Sequence, residues 1–329
     1  MNLITMIDCM KPIGGYFGWE FPLQQKPIPH ERGVFVNSGH HALALLLKCL
    51  KPVRKVYVPV FTCGIVHSTI AGCELECQDY HINSDLEIAE DLHLEQDEYL
   101  IYTNYFGIKD DYIHYLYRKY GRQLIIDNAQ AFFAEDLEYS HTLYSPRKYI
   151  GIPDGGIVVS SAVQQVQDLV DFDATGRCAH LLLRASHRVE EGYVEFAKND
   201  KQLGTEPIAG MSALSYSIMH SLDYKDIAER RRCNFKLLHK MLSSTNRFKV
   251  PESNSFVCPM IYPYLTDNPN LRSELIEHKI YVAKYWSNVC ECTMPQDIEY
   301  ILANNLIPLP IDQRYNTDDM NRIISIICK

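Results

Sequence analysis

The sequence predicts an α/β fold: a mostly parallel sheet covered by helices, followed by a smaller C-terminal α+β domain. Two observations carry this expectation. Apolar strand-like runs alternate with helical stretches from residue 56 to residue 127, and strands that alternate with helices build parallel sheets buried on both faces. The chain, at 329 residues, also exceeds the length at which a single core stops growing. Asp223, read as a cap between two helical stretches, marks a boundary between a large domain, residues 1–222, and a small one, residues 223–329.

Composition narrows the class of function. Apolar residues at 47% and charged residues at 22% are ordinary globular values, so no long disordered span is expected. A net charge of -9 repels phosphate backbones and argues against a nucleic-acid partner. The run Arg230-Arg231-Arg232, flanked by Glu229, reads as the solvated side of a helix. Eleven cysteines are scattered through apolar runs, without the spacing of a metal site or a disulfide framework, and read as reduced thiols of a cytoplasmic protein. The start of the chain lacks a basic region followed by an apolar core, and no stretch reaches the roughly 20 apolar residues of a membrane span.

Taken in order, residues 14–19 pair glycines with aromatics in a turn-rich lead-in that either lines a pocket or plugs a surface groove. Asn37-Ser38-Gly39-His40-His41 opens an Ala/Leu-rich helix over residues 42–50. Capping residues, a glycine and free amide hydrogens there suit a phosphate, and they equally describe an ordinary N-cap. Strands are expected at residues 56–61, 75–82, 98–107 and 123–127, with helices at 64–71 and 110–120. Residues 155–160 read as a strand leaving a glycine turn, 163–172 as helical, and 211–242 as one or two long helices. The tail reads as strands at 255–262, 280–286 and 306–311, a helix at 270–278, and a closing helix capped near Asn316.

Asp127 ends an apolar strand, where ligands of such sheets collect, and Lys148 follows it closely. A lysine able to form a Schiff base and an acid able to keep a ring nitrogen protonated are what pyridoxal 5'-phosphate requires.

The motifs in their order resemble the DegT/DnrJ/EryC1/StrS family, the pyridoxal-phosphate sugar aminotransferases of fold type I. Asn37-Ser38-Gly39-His40-His41-Ala42-Leu43 is similar to the family's phosphate loop, and Val58-Pro59-Val60-Phe61-Thr62-Cys63 to its first strand end. Asp127-Asn128-Ala129-Gln130-Ala131, Pro146-Arg147-Lys148-Tyr149-Ile150-Gly151 and Asp154-Gly155-Gly156 match its acid, lysine and glycine motifs. Leu306-Ile307-Pro308-Leu309-Pro310 is similar to a late apolar segment. The resemblance implies that Lys148 carries the cofactor and moves the proton, that Asp127 pairs with the ring nitrogen, and that Gln130 bonds the ring hydroxyl. It implies a phosphate cradle of Ser38, Gly39 and His40, with Ser145 as an added hydroxyl, and a homodimer whose sites lie between subunits. The substrates implied are a keto-sugar nucleotide and an amino acid donor, glutamate being the expected one, in amino-sugar or surface-polysaccharide synthesis.

Four positions depart from the family pattern. His40 replaces a threonine, Cys63 replaces the aromatic that stacks on the ring, and Leu143 replaces the serine five before the lysine. Residues 208–212 lack the asparagine that reaches the neighbouring subunit's phosphate. The alternative is therefore a non-catalytic binding or regulatory protein of the same fold.

Overall fold

The computed structural model describes residues 15–22, 27–164, 166, 169–252 and 256–329. The stretch read for a leader, and Gly14 of the lead-in, lie outside them.

Seven strands form the main sheet: β1 Val34–Val36, β2 Lys55–Pro59, β3 Glu76–Tyr80, β4 Glu98–Thr103, β5 Leu124–Asn128, β6 His141–Tyr144 and β7 Gly156–Val159. Their order is β1-β7-β6-β5-β4-β2-β3. Both partners of β7 run antiparallel to it, and every other pairing is parallel. The expected mostly parallel sheet is thus observed. Helices α1 Gly39–Cys49, α2 Gly64–Gly72, α3 Asp110–Tyr120, α4 Ala179–Ala185, α5 Val189–Leu203, α6 Ala213–His220 and α7 Tyr224–Leu242 accompany it. A smaller antiparallel pair, β8 Ile261–Leu265 and β9 Leu306–Pro310, follows with α8 Leu271–Glu277, α9 Ile298–Asn305 and α10 Thr317–Ile327.

Side chains alternate between the two faces of a strand, and each face has its own apolar cluster. Ile125 and Val158 join Leu43, Leu46 and Ile70 on the side of α1 and α2. Their neighbours Ile126, Ile157 and Val159 face the opposite cluster, which continues into Leu238, Tyr262, Ile307 and Ile323 of the C-terminal elements. Caps fix several helix starts: Asp223 accepts from the amides of Lys225 and Asp226, and Asn316 with Asp319 forms a capping box.

Several elements differ from the sequence reading. β4 stops at Thr103, because the next residues turn through Tyr105–Gly107 with Phe106 at φ 57°. No strand forms at 280–286: Ile280 and Val282 are buried, but their alternation has no partner strand. β8 begins six residues later than the strand expected from 255. Residues 169–172 are not helical, and Asp171 instead bridges Gly210. β1 and β6 carry too few residues to stand out by pattern. Arg231 does not line a solvated face. It is 2% exposed, donates to the carbonyls of Met260 and Tyr149, and lies 4.4 Å from the centre of the Tyr149 ring. These bonds tie α7 to the segment after Lys148.

The sheet's carboxyl edge is shaped by Gly155 and Gly156. Gly155 has φ 144°, and its N–H donates to the Asn37 carbonyl at 2.8 Å. A Cβ on Gly156 would sit 2.1 Å from the Ser38 carbonyl oxygen. Gly156→Ala should therefore destabilise the protein by about 2–3 kcal/mol in urea unfolding; wild-type stability would show that this contact can relax.

At the opposite edge, Glu98 meets Lys55 Nζ at 2.9 Å and Arg54 Nη2 at 2.6 Å. Burial alone would raise its carboxyl, but the Glu95 N–H and these cations outweigh burial and hold it at about 2. A depressed carboxyl stabilises the fold above its unfolded value near 4.5, and that contribution is lost as pH falls towards 2. Glu98→Gln should flatten the fall of unfolding midpoint across this window. An unchanged pH profile would assign acid lability to other groups.

Candidate active site

Asp127 stands near the carboxyl end of β5, in register with Thr103 of β4 and Leu143 of β6. Its Oδ1 accepts from the Ala129 N–H at 2.9 Å, and its Oδ2 accepts from the Thr103 hydroxyl at 3.4 Å. Burial raises the carboxyl above its ordinary value, and the nearby Lys148 ammonium is the strongest opposing influence. Lys148 ends the turn Pro146–Lys148 directly after β6, and its residue is exposed. The structure thus brings the predicted lysine and acid together at one edge of the sheet. The lysine also lines a cavity of about 850 Å³, with Arg147, His180, Arg184, Tyr281 and Arg314 among its walls.

Ser38 is the N-cap of α1: its Oγ accepts from the His41 N–H and bonds Nδ1 of both His40 and His41. Its hydroxyl is therefore occupied. Gly39 adjoins Ser145, since a Cβ on Gly39 would lie 3.3 Å from the Ser145 Cβ and 3.4 Å from its Oγ. Gln130 is buried with its Oε1 accepting from the Phe106 N–H at 2.9 Å, which holds the turn after β4 and leaves Nε2 as its remaining donor. Cys63 caps α2 without a side-chain bond and is exposed. The rings beside it, Phe61 and Trp286, pack edge to face on each other at 4.5 Å.

Two residues escaped the sequence reading. Asp154 is fully buried and accepts from the Ser212 N–H and from the hydroxyls of Ser212 and Ser215, which pins the start of α6 to the turn after the lysine. Arg147 precedes Lys148 and keeps its Nε and Nη2 buried without partners; His40 Nε2 and His180 Nδ1 are likewise buried and unpartnered. Its position next to the lysine was the one available signal. The start of residues 208–212, where the cross-subunit asparagine is missing, is held by Asn37, whose side chain donates to the Pro207 carbonyl and accepts from the Ala209 N–H.

A buried carboxylate with a lysine near it, and the unpartnered N–H groups of Arg147 beside that lysine, fit pyridoxal phosphate. The lysine and acid match its ring, and the Arg147 N–H groups match its anion. Among the described residues, one group of metal-ligating side chains converges, His67, Cys77 and Asp79, with ligand atoms within 4.8 Å. It lies on α2 and the edge strand β3, outside this site.

Sheet order, the single reversed strand and the lysine after β6 define a class: this is the fold of the pyridoxal-phosphate aminotransferases. No protein-family model matches the chain, and no curated protein matches its sequence. Solved structures do match. A DegT DnrJ EryC1 StrS aminotransferase from Brucella abortus aligns with a TM-score of 0.60 at 15% identity, covering 90% of this chain and 85% of that one. DesI, solved in the presence of its TDP-sugar product, aligns at 0.61 and 15% identity over 90% and 79%. NtdA from Bacillus subtilis, with bound cofactor PMP, aligns at 0.61 and 13% identity over 90% and 72%. At these identities the likeness is one of fold.

Because Ser38 caps α1 and also holds two imidazoles, Ser38→Ala should cost about 1–2 kcal/mol in chemical denaturation. A loss below a few tenths would mean that the helix start is held by its packing alone.

Proposed function

We propose that the protein is a pyridoxal-phosphate aminotransferase that moves an amino group from an amino acid, with glutamate as the donor, to a keto-sugar nucleotide in amino-sugar or surface-polysaccharide synthesis. The observation that carries this reading is that Lys148, just after β6, lies near enough to Asp127 at the carboxyl edge of β5 to oppose the rise in its carboxyl. When bound, the cofactor supplies an electron sink for charge developing on the substrate carbon. Asp127 holds a carboxylate where a ring nitrogen must stay protonated, and the bonds from Ala129 and Thr103 fix its orientation. Lys148 Nζ would hold and move the proton at the substrate carbon. Gln130 Nε2, Cys63, Gly39 and Ser145 border the same edge and are assigned to the cofactor in this reading, with Ser38 and His40 shaping the start of α1.

The cavity beside Lys148 supports an anionic substrate. Its lining includes Arg147, Arg184, Lys284 and Arg314, set against Glu190 and Asp312, in a protein whose net charge is -9. Such a concentration of cations suits the phosphates of a sugar nucleotide or the carboxylates of glutamate. The TDP-sugar product of DesI agrees with the first of these. The reading includes a homodimer acting in the cytoplasm. Exposed Leu182, Tyr193 and Val194 on α4 and α5 give it apolar surface for a second copy.

Purified protein mixed with pyridoxal phosphate should develop a visible absorption band that Lys148→Ala abolishes and glutamate bleaches. Asp127→Asn should keep the band and lower turnover by about 100-fold or more. A protein that forms no band, or whose band survives Lys148→Ala, would refute the reading.

A further inference from the structure

Among the described residues, three buried polar atoms without partners belong to Arg147, on the lysine turn, and His40, in the first turn of α1. Arg147 is only 12% exposed along its side chain, and Nη1 meets Asp200 at 3.0 Å. Its Nε and Nη2, the two N–H groups on the other side of the guanidinium, are buried and bonded to nothing. Leaving charged donors buried and unpaired is costly. That pair of N–H groups is the fork that grips two oxygens of a phosphate. Phe196 lies 5.8 Å from the guanidinium and 5.8 Å from the His180 ring, so α4 and α5 close the far side.

His40 feels the same guanidinium, and its Nδ1 bonds the Ser38 hydroxyl. His41 Nε2 lies 2.8 Å from the Glu206 carbonyl, which only accepts, so the His41 proton sits on Nε2. Burial keeps His41 neutral, so its Nδ1 accepts from the Ser38 hydroxyl. Ser38 Oγ then has only acceptor capacity left, and His40 Nδ1 must donate to it at 2.9 Å. His40 Nε2 is left as a bare, buried lone pair.

We propose that Arg147 and His40, with the Ser145 hydroxyl and the free amides of the first turn of α1, form an anion pocket that holds the cofactor's phosphate from within one subunit. This deepens the aminotransferase reading and rests on it for the identity of the phosphate's carrier. The missing asparagine at residues 208–212 is thereby replaced by a guanidinium on the lysine turn itself. An anion reaching His40 Nε2 must bring a proton with it. The free imidazole is held down to about 4, first by burial and then by His41. The charged groups facing it are His41 on its own helix, Arg147 on the lysine turn and Asp200 on α5, of which Asp200 alone favours protonation. Asp200 is ion-paired to Arg147 and buried Asp154 also faces it, so the guanidinium's charge is already offset and the incoming proton is what helps balance a dianion.

Two measurements test the pocket. In the first, pyridoxal phosphate and pyridoxal, which lacks the phosphate, are titrated into the full-length protein and followed by the visible band. Arg147→Gln should weaken pyridoxal phosphate by about 10-fold or more and leave pyridoxal unchanged. Equal losses for both, or no loss, overturn the proposal. In the second, sulfate, which does not itself titrate near neutrality, is bound to cofactor-free protein by calorimetry in buffers of different ionisation heat. Close to one proton should be taken up per sulfate in the wild type and none in His40→Thr. Sulfate that fails to bind the wild type, or that binds without proton uptake, shows a water-filled gap and overturns the pocket. If no band forms in the wild type, the aminotransferase reading fails while the sulfate arm still decides the pocket. If Arg147→Gln does not fold, His40→Thr and sulfate decide it.

Discussion

Gly155 donates its N–H to the Asn37 carbonyl, and Gly156 passes so close to Ser38 that a methyl group there would overlap its carbonyl oxygen. This approach of two backbones brings the start of α1 against the segment that follows Lys148. Asn37 extends the same junction to residues 207–209, and buried Asp154 extends it to the start of α6. Only glycine permits it, because Gly155 has a positive φ and Gly156 has no room for a side chain. The lysine, the helix start and the chain's return to the sheet are positioned by one contact rather than by several independent ones.

A second constraint acts from the C-terminal elements. Arg231 is buried in the long helix α7 and donates to the carbonyls of Tyr149 and Met260, while its Nε donates to Gln313. A buried cation with three acceptors cannot drift without losing bonds that are costly to leave unmade. The residue after the lysine is thus held from below by the tail of the chain, while Gly155 and Gly156 hold the loop from the side. Lys148 itself, exposed on the cavity wall, is left as the movable part.

Much of the architecture was legible because buried parallel strands leave continuous apolar runs. Leu124, Ile125 and Ile126 announce β5, and Asp127 stands one residue before its end. The helix over residues 110–120 coincides with α3, whose apolar spacing leaves no alternative. What stayed hidden has physical reasons. β1 and β6 span three and four residues, too short for a period to show. The direction of β7 cannot be read from Gly155 and Gly156, since a glycine turn precedes strands of either sense. Residues 280–286 alternate like a strand, but a strand needs a neighbour and none is adjacent. Arg231 sits in a run of three arginines that resembles a solvated face, and only the packing of Tyr149 beneath it reveals its burial. At the site, the lysine and acid could be read as a chemical pair, while Arg147 and Asp154 acquire meaning only once α4, α5 and α6 are folded around them.

In the reading proposed above, the departures at His40, Cys63 and residues 208–212 are met by other groups: Arg147 and His40 keep buried polar atoms without partners, and Lys148 remains close enough to Asp127 to lower its carboxyl. The most direct test of this account is chemical: incubate the protein with pyridoxal phosphate, reduce it with borohydride, and map the modified peptide by mass spectrometry. The account predicts a single pyridoxyl group on Lys148. Modification spread over surface lysines, or none at all, would contradict it.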